Sequence, residues 1–201
     1  TQPYKEVVDL VAKVMFEDFG NSSSLHNLGL RAERILEDAR ERIAGTIKAK
    51  PEEIIFTSGG TESANTAIRG SADAMKRTGS HILSTPIEHA ACLESLNELE
   101  RMGYRVEYIE VDEYGKIILE DLKKKLRKDT ILVSIMAVNN ELGTIEPIYE
   151  AARIIKSNNK NTIFHVDAVQ GYGKIPINTR ELEADLISCS AHKIHGPKGV
   201  G

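Results

Sequence analysis

The chain has 201 residues, 41% of them hydrophobic, which is enough for one domain with a buried core. Its formal net charge of -4 argues against a nucleic-acid surface. No stretch has the length or apolar purity of a membrane span, and Lys5, Glu6 and Asp9 are foreign to a signal peptide. Two cysteines, Cys92 and Cys189, lie far apart without a CxxC pair, so a reduced cytoplasmic setting is expected. The histidines His81, His89, His165, His192 and His195 follow no zinc-ligand spacing, and no metal site is expected.

Val7, Val8, Leu10, Val11, Val14 and Met15 recur at helical spacing, and Asn21-Ser-Ser-Ser24 breaks that pattern. Residues 32–47 read as a second helix, with Ile35, Leu36, Ala39 and Ile43 on one face. After Pro51 comes Glu53-Ile-Ile-Phe-Thr57, expected as a short buried strand. Ser58-Gly-Gly-Thr-Glu62 is then a tight turn into a helix over about 62–77. An alternation follows. Strands are expected over 81–84, 105–111, 131–138, 162–166 and 186–188, with helices near 88–102, 119–127 and 147–157. That order argues for an α/β fold, a mostly parallel central sheet covered on both faces in a three-layer sandwich. Residues 131–138 are apolar nearly throughout, as a central strand requires.

Ligands in open α/β sheets sit at the carboxyl ends of the strands. The polar residues of this chain gather at those ends. Gly60 and Thr61 open a helix, where backbone N–H groups and a hydroxyl suit an anion, although a plain turn would look the same. Asp167 ends a strand, where it either caps the next segment or pairs with a ring N–H⁺; Gln170 follows three residues later. Asn139 and Asn140 follow the central strand and either cap a turn or point an amide into the cleft. His89 starts a helix, where its ring can stack on a flat ligand. Ser190-Ala-His-Lys193 follows the last strand. A lysine placed directly after a buried strand is either solvated in a surface loop or buried with the strand, and burial disfavours its ammonium form and leaves an amine able to attack a carbonyl. An anion cradle, a stacking ring, a carboxylate, amides and such a lysine match what pyridoxal 5'-phosphate asks of a protein.

The motifs go further. Phe19-Gly-Asn-Ser-Ser-Ser-Leu-His26, Glu53-Ile-Ile-Phe-Thr-Ser-Gly-Gly-Thr-Glu-Ser63, Glu88-His89, Ile131-Leu-Val-Ser-Ile-Met-Ala-Val-Asn-Asn-Glu-Leu-Gly143, His165-Val-Asp-Ala-Val-Gln170 and Ser190-Ala-His-Lys-Ile-His-Gly-Pro-Lys-Gly199 run in order through nearly the whole chain. As a set they resemble the cysteine desulfurases of the NifS/IscS type, in the aspartate-aminotransferase-like, fold-type-I group of pyridoxal-phosphate enzymes. The resemblance implies that residues 1–201 form a large cofactor-binding domain, incomplete at both ends. By it, Lys193 attaches to the cofactor aldehyde and takes the substrate α-proton. Asp167 pairs with the pyridine nitrogen, and His89 stacks on the ring and takes part in proton transfer. Gln170 and Asn140 contact the phenolic oxygen, and Gly60, Thr61, Ser190 and His192 hold the phosphate. The activity implied is conversion of L-cysteine to L-alanine by a homodimer. The sulfur then passes as a persulfide to an Fe–S scaffold or a tRNA-thiolation acceptor protein, with no direct contact to nucleic acid or membrane.

Two departures within the motifs are Ser22, where proline is common, and His195, where tyrosine is common. Neither Cys92 nor Cys189 matches the family's catalytic cysteine. That residue, the substrate-carboxylate arginine and the small C-terminal domain are expected beyond Gly201, and an N-terminal segment before Thr1. The rival readings are a selenocysteine lyase or another class-V enzyme, and an inactive cofactor-domain scaffold.

Overall fold

The computed structural model describes residues 1–201 in full. Strand β3 (Thr130–Met136) organises the rest. Its β-branched run Ile131, Val133 and Ile135 suits a pleated strand, and all seven of its residues are buried. Around it stand β1 (His81–Ser84), β2 (Arg105–Tyr108), β4 (Ile163–Asp167) and β5 (Leu186–Ser188). The sheet order is β2-β1-β3-β4-β5, and every pairing is parallel. Parallel neighbours need long crossovers. Helices α4 (Ala90–Arg101), α5 (Leu119–Lys125), α6 (Ile148–Asn158) and the short α7 (Thr179–Leu182) lie in those connections.

Alternation along the strands splits the core in two. Ile82 and Leu132 face α3 (Gly60–Met75) and α4, packing with Ala64, Ile68, Ala72, Leu96 and Leu99. Leu83, Val133, Ile135, Phe164 and Val166 face the other way, onto Ile148, Ala151, Ala152 and Ile155 of α6. The sheet is thus sandwiched between helical layers, and the expected α/β class holds. Before it come α1 (Lys5–Glu17), which has no buried residue, and α2 (Asn27–Ile47). Helix α2 begins five residues before the apolar periodicity suggests. His26 caps it, its ring nitrogen accepting from the Gly29 amide at 3.2 Å.

One expected element is absent. Residues 54–57 are extended but are not a strand of the sheet. Pro51–Glu53 form a 3₁₀ turn, and only Thr57 is paired, exchanging both backbone bonds with Gly201 at 2.8 and 2.9 Å. Ile55 is 75% exposed. Arg40 holds this segment instead, donating to the Ile54 carbonyl and covering the Phe56 ring at 5.0 Å. Strands β2 and β3 also end earlier than their apolar runs. Val111 leaves the sheet to bridge Ile117, and Val138 to bridge Ile145.

Candidate active site

The carboxyl ends of β1, β3, β4 and β5 and the first turn of α3 enclose a cleft of about 340 Å³. Gly60, Thr61, His89, Asn140, Asp167, Gln170, Ser190, His192 and Lys193 all line it, with Met136, Val138, Ala91 and Val169 between them. These nine residues, far apart in the sequence, therefore meet at one place.

One wall of the cleft gathers hydrogen-bond donors of the kind that suit an anion. Gly59 caps α3 and Gly60 and Thr61 are its first residues, so their amides lack intrahelical partners. A side chain at position 60 would put its Cβ 2.8 Å from Val169 Cγ2, which is why glycine stands there. Thr61 does not cap the helix. No side chain caps it; the Ser58 hydroxyl and amide, just before the helix, both donate to Glu62 Oε2 at 2.6 Å. These two bonds, the hydroxyl's first, hold the Glu62 carboxyl below its usual range. Across the cleft the Ser190 hydroxyl and His192 Nδ1 are 2.7 Å apart. Burial, with Lys193, the N-terminal ammonium and Lys198 nearby, pushes the His192 pKa down.

Asp167 also lines the cleft and is 6% exposed. Its Oδ1 accepts from the Val169 amide at 2.9 Å, so it caps the following turn while also lining the cleft. Its Oδ2 faces the Cys92 thiol at 3.6 Å. Burial pushes its pKa up, against lesser downward pulls from Val169, Cys92 and His89. It has no cationic partner. His89 is the N-cap of α4, its Nδ1 accepting from the Ala91 amide at 3.1 Å, so the opposite edge of the ring carries the proton in the neutral form. The two asparagines divide the alternatives open to them. Asn139 is buried and caps the turn, accepting from Glu141 and Leu142 at 2.9 and 2.8 Å, whereas Asn140 is exposed to the cleft. Gln170 accepts from Lys174 at 3.1 Å.

Lys193 closes the 3₁₀ turn Ala191–Lys193 after β5. It is half-buried rather than buried, because β5 stops at Ser188 and the turn carries the lysine out to the cleft wall. Full burial of Lys193 is thus not met; its place in the cleft is.

A match to the aminotransferase class-V profile runs over residues 1–201. The chain belongs to the class-V aminotransferase family. This class-V chain is 52% identical over 197 residues to the cysteine desulfurase IscS of Dictyoglomus turgidum, covering 98% of the chain and 50% of that protein. It is 50% identical over 184 residues to the mitochondrial cysteine desulfurase of Candida albicans, covering 91% of the chain and 37% of that protein. Among solved structures it superposes on a NifS-like protein with a TM-score of 0.97 at 45% identity, covering all of this chain and 55% of the other. It superposes on SspA in complex with cysteine at 0.95 and 35%, covering all of this chain and 57% of that one. The class-V chain spans about half the length of the relatives it matches.

The sequence points to Glu88 only as half of the Glu88-His89 pair and to Cys92 only as helix packing. Cys92, expected as helix packing, is buried against Asp167; burial first, then Glu88 and Asp167, raises its pKa far above the ordinary thiol value. Glu88 is buried beneath the same cleft, its carboxyl pushed up to about 8, chiefly by desolvation. Glu88 stands one residue before His89 and Cys92 three after it; what they touch was not legible. Cys189 lines a separate groove of about 510 Å³ between β5 and residues 54–56. That groove is larger but mainly apolar and lacks the convergent polar groups that mark the cleft as the site of chemistry.

Proposed function

We propose that this chain is the cofactor-binding part, the large domain, of a pyridoxal-phosphate-dependent cysteine desulfurase. The observation that carries the reading is Asp167: a buried carboxylate on the cleft wall with no cation of its own, in a cleft that also holds Lys193 and an anion cradle. Pyridoxal phosphate fits this donor set. The amides of Gly60 and Thr61, the Ser190 hydroxyl and His192 would hold its phosphate. Asp167 would keep a proton on the pyridine nitrogen, and ionised Asp167 would in turn gain the cation it lacks. His89 would cover the ring face, and Asn140 and Gln170 would meet the phenolic oxygen. Bound there, the cofactor supplies an electron sink that weakens bonds at the substrate α-carbon.

The remaining work belongs to the chain. Lys193 would hold the cofactor through its Nζ, and its amine would accept and return a proton at the substrate α-carbon. Half-burial beside the cleft lets that amine reach the ligand and swing aside. His89, with Nδ1 engaged by the helix, offers Nε2 to solvent-side proton transfer. L-cysteine as substrate is supported by the desulfurase relatives and by SspA, whose solved structure is a complex with cysteine. Alanine, a second copy of the chain and a sulfur-acceptor protein of Fe–S assembly or tRNA thiolation complete the proposal. No helix is long and apolar enough to cross a membrane, and we place the activity in the cytoplasm. Neither free cysteine lines the cleft, so the 201 residues alone are expected to release little sulfide.

The test is an absorbance scan. Pyridoxal phosphate should give a visible band that moves on addition of L-cysteine. Absence of the band, or a band indifferent to L-cysteine but shifted by other amino acids, would refute the reading.

A further inference from the structure

Two loops frame the cleft mouth, one after β1 ending at His89 and one after β3 carrying Asn140. Glu88 joins them from below. Its Oε1 accepts from the Thr85 hydroxyl at 2.8 Å and from the Met136 amide at 2.9 Å. Met136 is the last residue of β3 and lines the cleft. Glu88 is 5% exposed, and its Oε2 is buried without a partner. A second tie runs the other way: Asn139 Nδ2 donates to the Ile87 carbonyl at 3.0 Å. The residues immediately before His89 and immediately before Asn140 are thus tied into one junction. His89 itself is exposed and makes one side-chain hydrogen bond, to the backbone of its own helix. Nothing on the cleft side fixes it, so its backbone must.

We propose that Glu88 is a positioning residue of the cleft, clamping the loop after β1 to the end of β3 so that His89 and Asn140 keep fixed places relative to Asp167. The clamp rests on the cofactor reading only for its purpose; the geometry of the junction is independent of it. The groups that face Glu88 are Thr85 of its own loop, the Met136 amide of β3, Asp167 of β4, Cys92 of α4 and Glu146, just past the Val138–Ile145 bridge. Burial together with Asp167 and Glu146 pushes the Glu88 carboxyl up to about 8, so the clamp works at neutral pH as an uncharged acid. Ionisation above that value adds a second negative charge next to Asp167 and strengthens the Met136 bond at the same time.

The experiment follows the His89 ring, the Asn140 side-chain amide and the Met136 backbone amide by NMR in the ligand-free protein, with pyridoxal phosphate affinity measured in parallel by absorbance. In the wild type the Met136 amide should titrate near pH 8. Glu88→Gln keeps a neutral acceptor. It should leave the His89 and Asn140 signals in place and affinity within about twofold, and should abolish the Met136 titration. Thr85→Val removes one of the two bonds and should move the His89 signals and weaken binding roughly threefold to tenfold; Glu88→Ala removes both, for roughly tenfold to a hundredfold. Ile155→Val, on the far face of the sheet, should lower the melting temperature and move none of these signals. Folded Thr85→Val or Glu88→Ala protein with unmoved His89 signals and wild-type affinity overturns the clamp. If Glu88→Ala does not fold, Thr85→Val decides. If the wild type binds no pyridoxal phosphate, the cofactor reading falls, and the His89 and Asn140 signals in the ligand-free variants still decide the clamp.

Discussion

Replacing Asp167 with asparagine should make the ligand-free protein more stable and the cofactor site worse. Asparagine has the same shape, and its amide oxygen can still accept from the Val169 amide now 2.9 Å from Oδ1. What disappears is a buried negative charge that no cation offsets. Burial raises the Asp167 pKa, so the folded chain holds this proton more tightly than the unfolded chain does. Stability then falls as pH climbs from the ordinary carboxylate range through the raised folded value, and the deficit persists above it. At neutral pH the substitution removes a cost of about 1 kcal/mol, which for a chain of 201 residues means a rise in melting temperature of roughly 2–4 °C. Thermal unfolding of both proteins across pH reads this directly, and the variant should lack the wild type's descent. Pyridoxal phosphate affinity should fall at least about tenfold, because the partner for the pyridine N–H⁺ is gone. A variant that melts lower than wild type, or that binds the cofactor equally well, would refute the argument that Asp167 is a strained carboxylate awaiting a cation.

Other expectations concern the scaffold. His165 is buried between Ser134 and Ser188, with ring nitrogens 2.9 Å from each hydroxyl, and burial lowers its pKa to about 4. The unfolded chain therefore takes up this proton first. Stability should be full above the ordinary histidine pKa and decline as pH drops from there toward 4, with a slope near 1.4 kcal/mol per pH unit from this group; His165→Gln should flatten that part of the acid limb. Gly29→Ala would place a Cβ 2.0 Å from the Ser24 carbonyl oxygen and 2.8 Å from that of Asn21, both backbone atoms, so we expect a loss of more than about 2 kcal/mol by chemical denaturation. Phe164→Ala empties the centre of the larger core and should cost about 3–5 kcal/mol; a loss under 1 kcal/mol would mean that the α6 face of the sheet is less tightly packed than described.

Much of this was legible in the sequence because apolar runs alternate with helical patterns. The apolar run from Ile131 reads as a central strand and is one as far as Met136, and the polar residues that follow each strand fell at the carboxyl edge by the logic of parallel sheets. The failures have physical reasons too. Residues 54–57 carry an apolar run fit for a strand, but a strand needs a neighbour, and only Thr57 has one, at Gly201. Lys193 was read as buried because it follows β5 closely, yet the 3₁₀ turn carries it back toward the surface. Glu88 was visible as half of a Glu-His pair, but its grip on Thr85 and Met136 depends on β1 and β3 lying side by side. Cys92 touches Asp167 across 75 residues of sequence, a separation that no local pattern encodes.

The central claim is that the cleft binds pyridoxal phosphate through Lys193. The direct measurement is borohydride reduction of the protein with the cofactor, followed by peptide mapping of the phosphopyridoxyl adduct. The account predicts one adduct, on Lys193, lost in Lys193→Ala. An adduct spread over Lys174, Lys198 and other surface lysines, or none at all, would contradict it.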